Sequence, residues 1–265
     1  MPTPLEILMH PVSLAVLGLY AALIGWEAVA PARRLPDVKG WKLRGLAAFT
    51  AYFFLSSYLP LLWTEQLARF QLFDLTGLGT WRGALVGLLV YEAGVYLWHR
   101  TMHASGRLWR WFHQMHHSAE RIDSFGAFWF SPLDMVGWTV LFSLCLTLGV
   151  GLTAEAGTVV LLATTFLSVF QHSNLRTPRW LGYVVQRPES HSHHHGRGVH
   201  ARNYSDLPLF DLLFGTFHNP RDFAAASGFY DGASARVGEM LRFRDVSVPR
   251  REEIAADAAP RRAVA

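Results

Sequence analysis

Five apolar stretches constrain the fold of this chain more than any other feature. They cover residues 12–30, 45–68, 82–98, 133–151 and 155–171. Each approaches or exceeds the roughly 20 residues that cross a bilayer as a helix. Glu27, near the end of the first stretch, leaves a partial span as an alternative there. Hydrophobic residues make up 51% of the chain and charged residues 17%, a balance that favours a membrane protein.

The charges between these stretches predict how the bundle is oriented. Three connecting segments are rich in arginine and lysine: 31–44, 99–124 and everything after 172. Three others carry few or none: 1–11, 69–81 and 151–155. With five spans, alternation puts all basic segments on one side, and the positive-inside rule makes that side cytoplasmic. We therefore expect the N-terminus outside, the C-terminus inside, a bacterial inner membrane and no nucleic-acid partner.

We expect three regions along the chain. Residues 1–98 would be N-terminal transmembrane helices, and 99–220 a histidine-rich region that includes a transmembrane hairpin at about 131–172. Residues 221–265 would be a cytoplasmic segment ending in a frayed tail, "RREEIAADAAPRRAVA". Residues 1–11 carry no basic stretch of the kind that opens a signal peptide, so we expect no cleaved leader.

The hairpin has a recognisable start in "SPLD". Ser131 suits the N-cap, Pro132 the first helical position and Asp134 the positive end of the helix dipole. Cys145, the single cysteine, lies in an apolar run and is expected to be a small buried hydrophobe. The chain therefore has neither a disulfide framework nor a cysteine metal site.

Histidines are concentrated where the apolar stretches reach the basic side. Residues 99–117, "HRTMHASGRLWRWFHQMHH", hold five, and "HSHHH" holds four more. Spacings of three and four residues place imidazoles on one face of a helix. The candidate metal ligands are His99, His103, His113, His116, His117, His172, His191, His194 and His195. We expect His10 and His218 to be interfacial or core residues, and His193 and His200 to lie around the site or at the surface.

So many imidazoles in one place predict metal ions. Packing titratable groups together is costly unless something satisfies their lone pairs. Imidazole suits zinc, copper, iron and nickel alike, but nine ligands exceed one site and suit two ions with four or five each. Two ions beside an apolar surface favour redox chemistry with oxygen. A two-zinc hydrolase remains an alternative, although the H-E-x-x-H motif is missing, as does a non-enzymatic metal-storing or metal-sensing protein.

These motifs resemble those of the fatty acid hydroxylase / sterol desaturase superfamily of membrane di-iron oxygenases. "YLWHRTMH" is similar to its H-x-x-x-H box and "FHQMHHS" to its H-x-x-H-H box. "VFQHSNL" is similar to the isolated histidine at the membrane edge. "PESHSHHHGRGVHARNYSDLPLFDLLFGTF" resembles the terminal box and the signature that follows it. "WEAVAPARR" matches a glutamate-then-proline pattern, so the resemblance covers about residues 26–217.

The resemblance implies an all-α membrane helix bundle capped by a cytoplasmic, histidine-rich di-metal domain. It implies two iron ions (with zinc possible in a purified sample), dioxygen as co-substrate, and electrons from a separate transfer protein. The reaction would be hydroxylation or desaturation of a lipid; sterol, carotenoid, fatty acyl and headgroup substrates all occur among relatives. The nine histidines would be ligands. Glu92, Asn174, Asn203, Tyr204 and Asp211 would support them, with a helix-surface or capping carboxylate as the alternative for Asp211.

Two departures from the family pattern bear on the ligand count. "WFSPLD" has Trp129 and Ser131 where many relatives carry an Arg-x-His-Pro stretch. Arg176 stands where some hydroxylases place one more histidine, four residues beyond His172. Neither change removes any of the nine candidate ligands.

Overall fold

The structure of the protein, a computed structural model, describes residues 1–249, so the predicted frayed tail lies outside the described residues. Within them the chain forms helices and loops, with one isolated antiparallel bridge between Gly196 and Ser227. The helices are α1 (Pro4–Met9), α2 (Pro11–Val29), α3 (Trp41–Tyr58), α4 (Thr64–Arg69), α5 (Gly79–Ala104), α6 (Gly106–Leu108), α7 (Gln114–His117), α8 (Pro132–Ser143), α9 (Ala154–His172), α10 (Pro188–His194), α11 (Leu209–Leu213) and α12 (Val237–Met240).

Four helical segments among residues 1–249 are long and apolar enough to cross a membrane: Pro11–Val29, Trp41–Leu62, Pro132–Gly149 and Ala154–His172. They confirm four of the five predicted spans, and the chain is an integral membrane protein with a helical bundle. The first is a helix of 19 residues in spite of Glu27. The fifth predicted span, 82–98, is not among these four. It lies inside α5, which does not reach the same hydropathy because it carries arginine, glutamate and histidine.

Helix α5 nevertheless runs the length of the bundle, packed along α9. Just before α5, Leu72 and Phe73 donate backbone N–H groups to the carbonyls of Leu148 (2.8 Å) and Gly149 (3.1 Å), where α8 turns into α9. The last turns of α5 carry two of the candidate histidines. The polypeptide therefore crosses the bundle five times, and the boundary expected at residue 98 falls within a continuous helix.

The crossings give the bundle two distinct ends. The turn end comprises residues 58–78 and 149–154, and Tyr58 donates there to the Pro2 carbonyl at 3.1 Å. The histidine end comprises residues 30–40, 99–131 and 172–249. The Ala32 N–H donates to the Asn174 carbonyl at 2.8 Å, so the basic 31–44 segment begins beside the histidines. The alternation in the sequence of loops rich and poor in arginine and lysine thus matches the two ends of the molecule.

Helix α8 begins at the N-cap that the sequence predicts. The Ser131 hydroxyl accepts from the Asp134 N–H at 3.2 Å and Pro132 occupies the first turn, so the predicted N-cap is confirmed. The helix then widens into a π-helical turn, Leu144–Gly149. Cys145 lies in that turn, half-buried against the apolar core.

Buried polar contacts fasten the histidine end onto the spans. Glu27 accepts from the Ser124 N–H (2.8 Å), the Ser124 hydroxyl (2.7 Å) and the Asn174 N–H (3.1 Å). One carboxylate therefore joins α2, the loop before α8 and the end of α9. Residues 221–249 also pack against this end of the bundle. Glu120 holds them there by accepting from the N–H groups of Gly232 and Ser234 at 2.9 and 3.0 Å.

Candidate metal centre

The structure brings all nine candidate histidines together in two adjacent groups. Within each group, one ring nitrogen per residue lies within 4.8 Å of all the others. The first group is His99, His103, His113, His117 and His194. The second group is His116, His172, His191 and His195. The His117 and His195 rings stack with their centroids 4.2 Å apart, so the two groups are neighbours.

Helical spacing distributes the rings between the groups. His99 and His103, four residues apart at the end of α5, both join the first group. The π-helical turn Trp109–His113 leads into α7, where residues 113 and 117 join the first group and residue 116, on the other side of the turn, joins the second. In and just after α10, residues 191 and 195 share the second group while residue 194 faces the first. The i, i+4 pattern predicted from sequence therefore selects group membership.

Hydrogen bonds fix the proton positions in the first group. Three rings donate through Nδ1 to backbone carbonyl oxygens: His99 to Tyr204 (2.8 Å), His103 to His200 (2.9 Å) and His194 to Arg202 (2.7 Å). Because a carbonyl oxygen only accepts, each of these rings presents a lone pair at Nε2. The Nε2 atoms of His103, His117 and His194 are buried and have no hydrogen-bond partner within residues 1–249. Such lone pairs are costly unless a cation satisfies them.

The second group also contains buried ring nitrogens without hydrogen-bond partners. His172 Nδ1 donates to the Ser168 carbonyl at 2.6 Å, so its Nε2 carries a lone pair. That Nε2 lies 3.0 Å from His116 Nε2 and 2.9 Å from His191 Nε2. Nδ1 of His116, His191 and His195 is buried without a partner in the described chain. Any arrangement of protons among these neutral rings therefore leaves ring nitrogens without a partner, and a cation would take up the lone pairs.

The pKa values and spacing of the rings also suit metal ions. Burial, reinforced by neighbouring imidazoles, lowers well below 6.5 the pKa of His113, His116, His117, His191, His194 and His195. These rings are therefore neutral at pH 7, the form that binds metals. Nitrogens about 2.1 Å from one ion lie at most about 4.2 Å apart, close to the observed limit of 4.8 Å. The donor set fits one ion in each group.

Asp134 contributes a contact that sequence reasoning missed. Its Oδ2 lies 2.9 Å from Nδ1 of His113, and both side chains are almost fully buried. The sequence explained this acid by the helix dipole alone. The sequence could also have predicted a buried partner for Asp134, because a carboxylate at the start of an apolar span needs one. A carboxylate on Nδ1 orients an imidazole and raises its basicity toward a metal.

The 203–207 loop is held by two of the predicted supporting residues. Asp211 is buried and accepts from the Tyr204 N–H (2.9 Å) and the Ser205 N–H (3.1 Å), so it is not a helix-surface carboxylate. Glu92, from α5, accepts from the N–H groups of Asp206 (2.9 Å) and Leu207 (3.0 Å). Since the Tyr204 carbonyl receives a ring proton, both carboxylates act on the histidines through the backbone.

The two predicted asparagines lie further out. Asn203, at φ +50°, accepts from the His218 N–H at 2.7 Å and donates to the His218 carbonyl at 2.8 Å, which closes the loop on itself. Asn174 donates through Nδ2 to the Arg33 carbonyl at 2.7 Å and through its N–H to Glu27. Its contacts therefore join α9 to the start of the chain.

The remaining histidines lie outside both groups. His200 adjoins the first group, since its carbonyl receives a ring proton and its Nδ1 lies 3.1 Å from His117 Nδ1. His193 is directed the other way, with Nε2 3.0 Å from the Asp222 carbonyl, and His10 caps α2. Arg176, one of the departures from the family pattern, pairs with Asp222 on the surface.

A small cavity of about 60 Å³ adjoins both groups and is lined by His99, His113, His116, His172 and His191, among others. Asp206 also lines it, and sequence reasoning did not select this residue. Its carboxylate accepts from Gln171 Nε2 at 2.6 Å, and burial raises its pKa to about 6. The cavity is a space where a small molecule would meet ring nitrogens of both groups.

A helical membrane bundle with two buried imidazole groups at one end defines a class of membrane-bound protein with a candidate two-metal centre. The sequence model of the family described as "Fatty acid hydroxylase" matches residues 84–216, half of the chain and all nine histidines. The chain therefore belongs to the fatty acid hydroxylase family.

A curated relative gives a second comparison. The chain is similar to the ornithine lipid hydroxylase OlsE of Rhizobium tropici, at 32% identity over 146 residues. The matched part is 51% of this chain and 42% of that protein, so less than half of the relative's length is covered. No solved structure matches the chain.

Proposed function

We propose that the protein is a membrane-bound oxygenase that hydroxylates a lipid, using two iron ions, dioxygen and electrons from a separate protein. The observation that carries the proposal is the pair of buried imidazole groups, whose lone pairs lack donors and whose rings are neutral at pH 7. Family membership and the similarity to a lipid hydroxylase support the reaction class. The nine histidines would hold the ions, five in the first group and four in the second.

The residues of this chain would orient the metal ligands and exclude water from the site. Bound iron would provide the redox chemistry with oxygen that side chains lack. The carbonyls of Tyr204, His200 and Arg202 and the carboxylate of Asp134 would keep Nε2 of four rings directed at the ions. The spans on one side and residues 221–249 on the other would exclude bulk water from the reacting atoms.

Metal analysis and lipid profiling of the same preparations test this function. His116→Ala removes a ring of the second group. His193→Ala is the matched control, because it removes a histidine of α10 that lies outside both groups. We expect two irons per chain and lipids that have gained one oxygen atom in the parent and the control. His116→Ala should lose the iron of the second group and should form no oxygenated lipid. Stoichiometric zinc under iron-replete expression, without new lipids, would overturn the proposal in favour of a hydrolase or a metal-storing protein. Lipids that have lost two hydrogens would replace hydroxylation with desaturation.

We further propose that the histidine end faces the cytoplasm of a bacterial inner membrane. The basic segments lie at that end, as the positive-inside rule requires, and their charge suits an acidic electron carrier. Cysteines placed at exposed Gln66 and Arg107, in a variant lacking Cys145, report each end separately. A membrane-impermeant maleimide should label intact spheroplasts at position 66 and not at 107. The reverse pattern would invert the orientation.

A further inference from the structure

The spans enclose a second, larger cavity that the metal centre does not explain. This space, which we call the chamber, has a volume of about 490 Å³ and lies between α2, α3, α5, α8 and α9. It extends from His10, Pro60 and Thr64 at the turn end to Tyr52, Tyr91 and Ser168. These last three residues, with Phe128, also line the small cavity beside the histidines. The chamber therefore leads through the bundle to the candidate metal centre.

Hydroxyl groups line the chamber to an unusual degree for a membrane interior. Eleven of its 22 lining residues are serine or threonine. On α8 and its π-helical extension, Thr139, Ser143 and Thr147 recur every four residues and so form one stripe. On α9, Thr164 and Thr165 form a facing patch. A passage for bare hydrocarbon would need none of these groups.

The hydroxyls are arranged mainly as acceptors. Thr139 donates to the Met135 carbonyl (2.8 Å), and Ser143 donates to the Thr139 carbonyl (3.2 Å). Thr164 donates to the Val160 carbonyl at 3.0 Å. A hydroxyl that gives its proton to its own helix keeps oxygen lone pairs for another donor. Within residues 1–249, the lining of the chamber contains no aspartate, glutamate, lysine or arginine, so nothing charged on the wall competes for these acceptors.

We propose that the chamber binds the hydrogen-bond-donating part of an amphiphilic lipid, meaning a hydroxyl, amide N–H or amine, and delivers it to the histidine cavity. This inference rests on the proposed function, because it specifies the class of lipid that reaches the metal centre. Ser168 donates to Asp206 Oδ2 at 3.2 Å where the two cavities meet, so the series of acceptors continues to the metal centre. Tyr52, Tyr91 and Phe128 narrow that junction and would determine which part of the lipid passes.

Binding of three probe amphiphiles tests the chamber. Hexadecanol and hexadecylamine carry donors, whereas hexadecyl methyl ether has the same chain without one. The protein is kept in nanodiscs without a reductant, and an apparent Kd is obtained from the rise in Tm with ligand. We expect the donor probes to bind about tenfold more tightly than the ether, which corresponds to a hydrogen bond or two.

A combined variant, Thr139→Val, Ser143→Ala, Thr164→Val and Thr165→Val, removes the central acceptors. It should reduce the preference for the donor probes to about twofold or less. The matched control, Thr50→Val with Thr101→Val, changes two exposed threonines outside the chamber and should keep the full preference.

Two results would overturn the proposal: equal binding of the ether and the alcohol by the parent, or a preference that survives the combined variant. The measurement needs no turnover, so it is separable from the proposed function. Donor preference without any oxygenated lipid in cells would refute the oxygenase alone. Oxygenated lipid without donor preference would refute the chamber alone.

Discussion

Replacing Asp134 with asparagine tests whether the two histidine groups are separate metal sites with their own supporting residues. Asp134 Oδ2 lies 2.9 Å from Nδ1 of His113, and its Oδ1 has no hydrogen-bond partner in the described part of the chain. The amide of Asp134→Asn can keep its oxygen on the ring and place its NH₂ where Oδ1 was. The substitution removes charge while shape and the hydrogen bond remain.

The expected size follows from what such partners contribute in metal sites. Loss of an outer partner typically weakens metal binding about 10- to 100-fold, which corresponds to about 1.4–2.7 kcal/mol. Only one of the five rings in the first group is affected, and none in the second group contacts Asp134. We therefore expect the weakening to be confined to one of two bound ions.

Titration with a chelator, followed by metal analysis of the protein, measures this directly. In Asp134→Asn, one metal equivalent should leave at about 10- to 100-fold lower chelator concentration, while the second leaves as in the parent. Glu120→Gln is the control, because Glu120 is a buried carboxylate that holds backbone N–H groups at the same end of the molecule. Release of both ions together, or an unchanged first ion, would refute the assignment of Asp134 to one site.

Two further predictions concern stability. Gly45→Ala should lower Tm by several degrees, because the added Cβ would collide with the Phe125 carbonyl. The control Gly25→Ala has open space around its Cβ and should leave Tm unchanged or slightly higher. Equal effects of the two substitutions would refute this packing. Tm of metal-free protein should fall as the pH drops below about 6.5, because burial lowers the pKa of six histidines outside the spans and the unfolded chain then binds more protons. Each ring contributes up to about 1.4 kcal/mol per pH unit. The Asp206 carboxyl, whose pKa burial raises to about 6, opposes them. A flat or rising Tm between pH 7 and 5.5 would contradict this.

The candidate site lies where two different requirements meet. The metal groups need neutral, buried rings, and the spans need few charges, so both favour a dry interior at the histidine end. Asp134 contacts a ring directly, but other carboxylates of that region hold backbone, as Glu27 does for Ser124 and Glu92 does for the 206–207 backbone. This division explains why the five supporting residues selected from sequence lie at different distances from the rings.

Periodicity in the sequence was sufficient for the helices and for the choice of histidines. Apolar length gives the spans, and a spacing of three or four residues marks the rings that share a helix face, as at His113 and His117. It predicted a span at 82–98, but not how α5 accommodates Glu92 and the histidines at its end, which reduce its hydropathy. That helix crosses the bundle because neighbouring helices cover its polar side, and a neighbour's position cannot be read from a window of sequence.

What the sequence alone determined was the helical class, the alternation of loops rich and poor in arginine and lysine, and the nine imidazoles. Only the tertiary structure decided which of them share a group, since that depends on how α5, α7, α9 and α10 meet at one end. It also gave Asp134 its histidine partner and Asp206 its place beside the cavity. The tertiary structure also decided the chamber, because its hydroxyls come from separate helices and face one space only when those helices pack. The physical reason is that spacing along a helix is local, whereas coordination and cavities are made between helices.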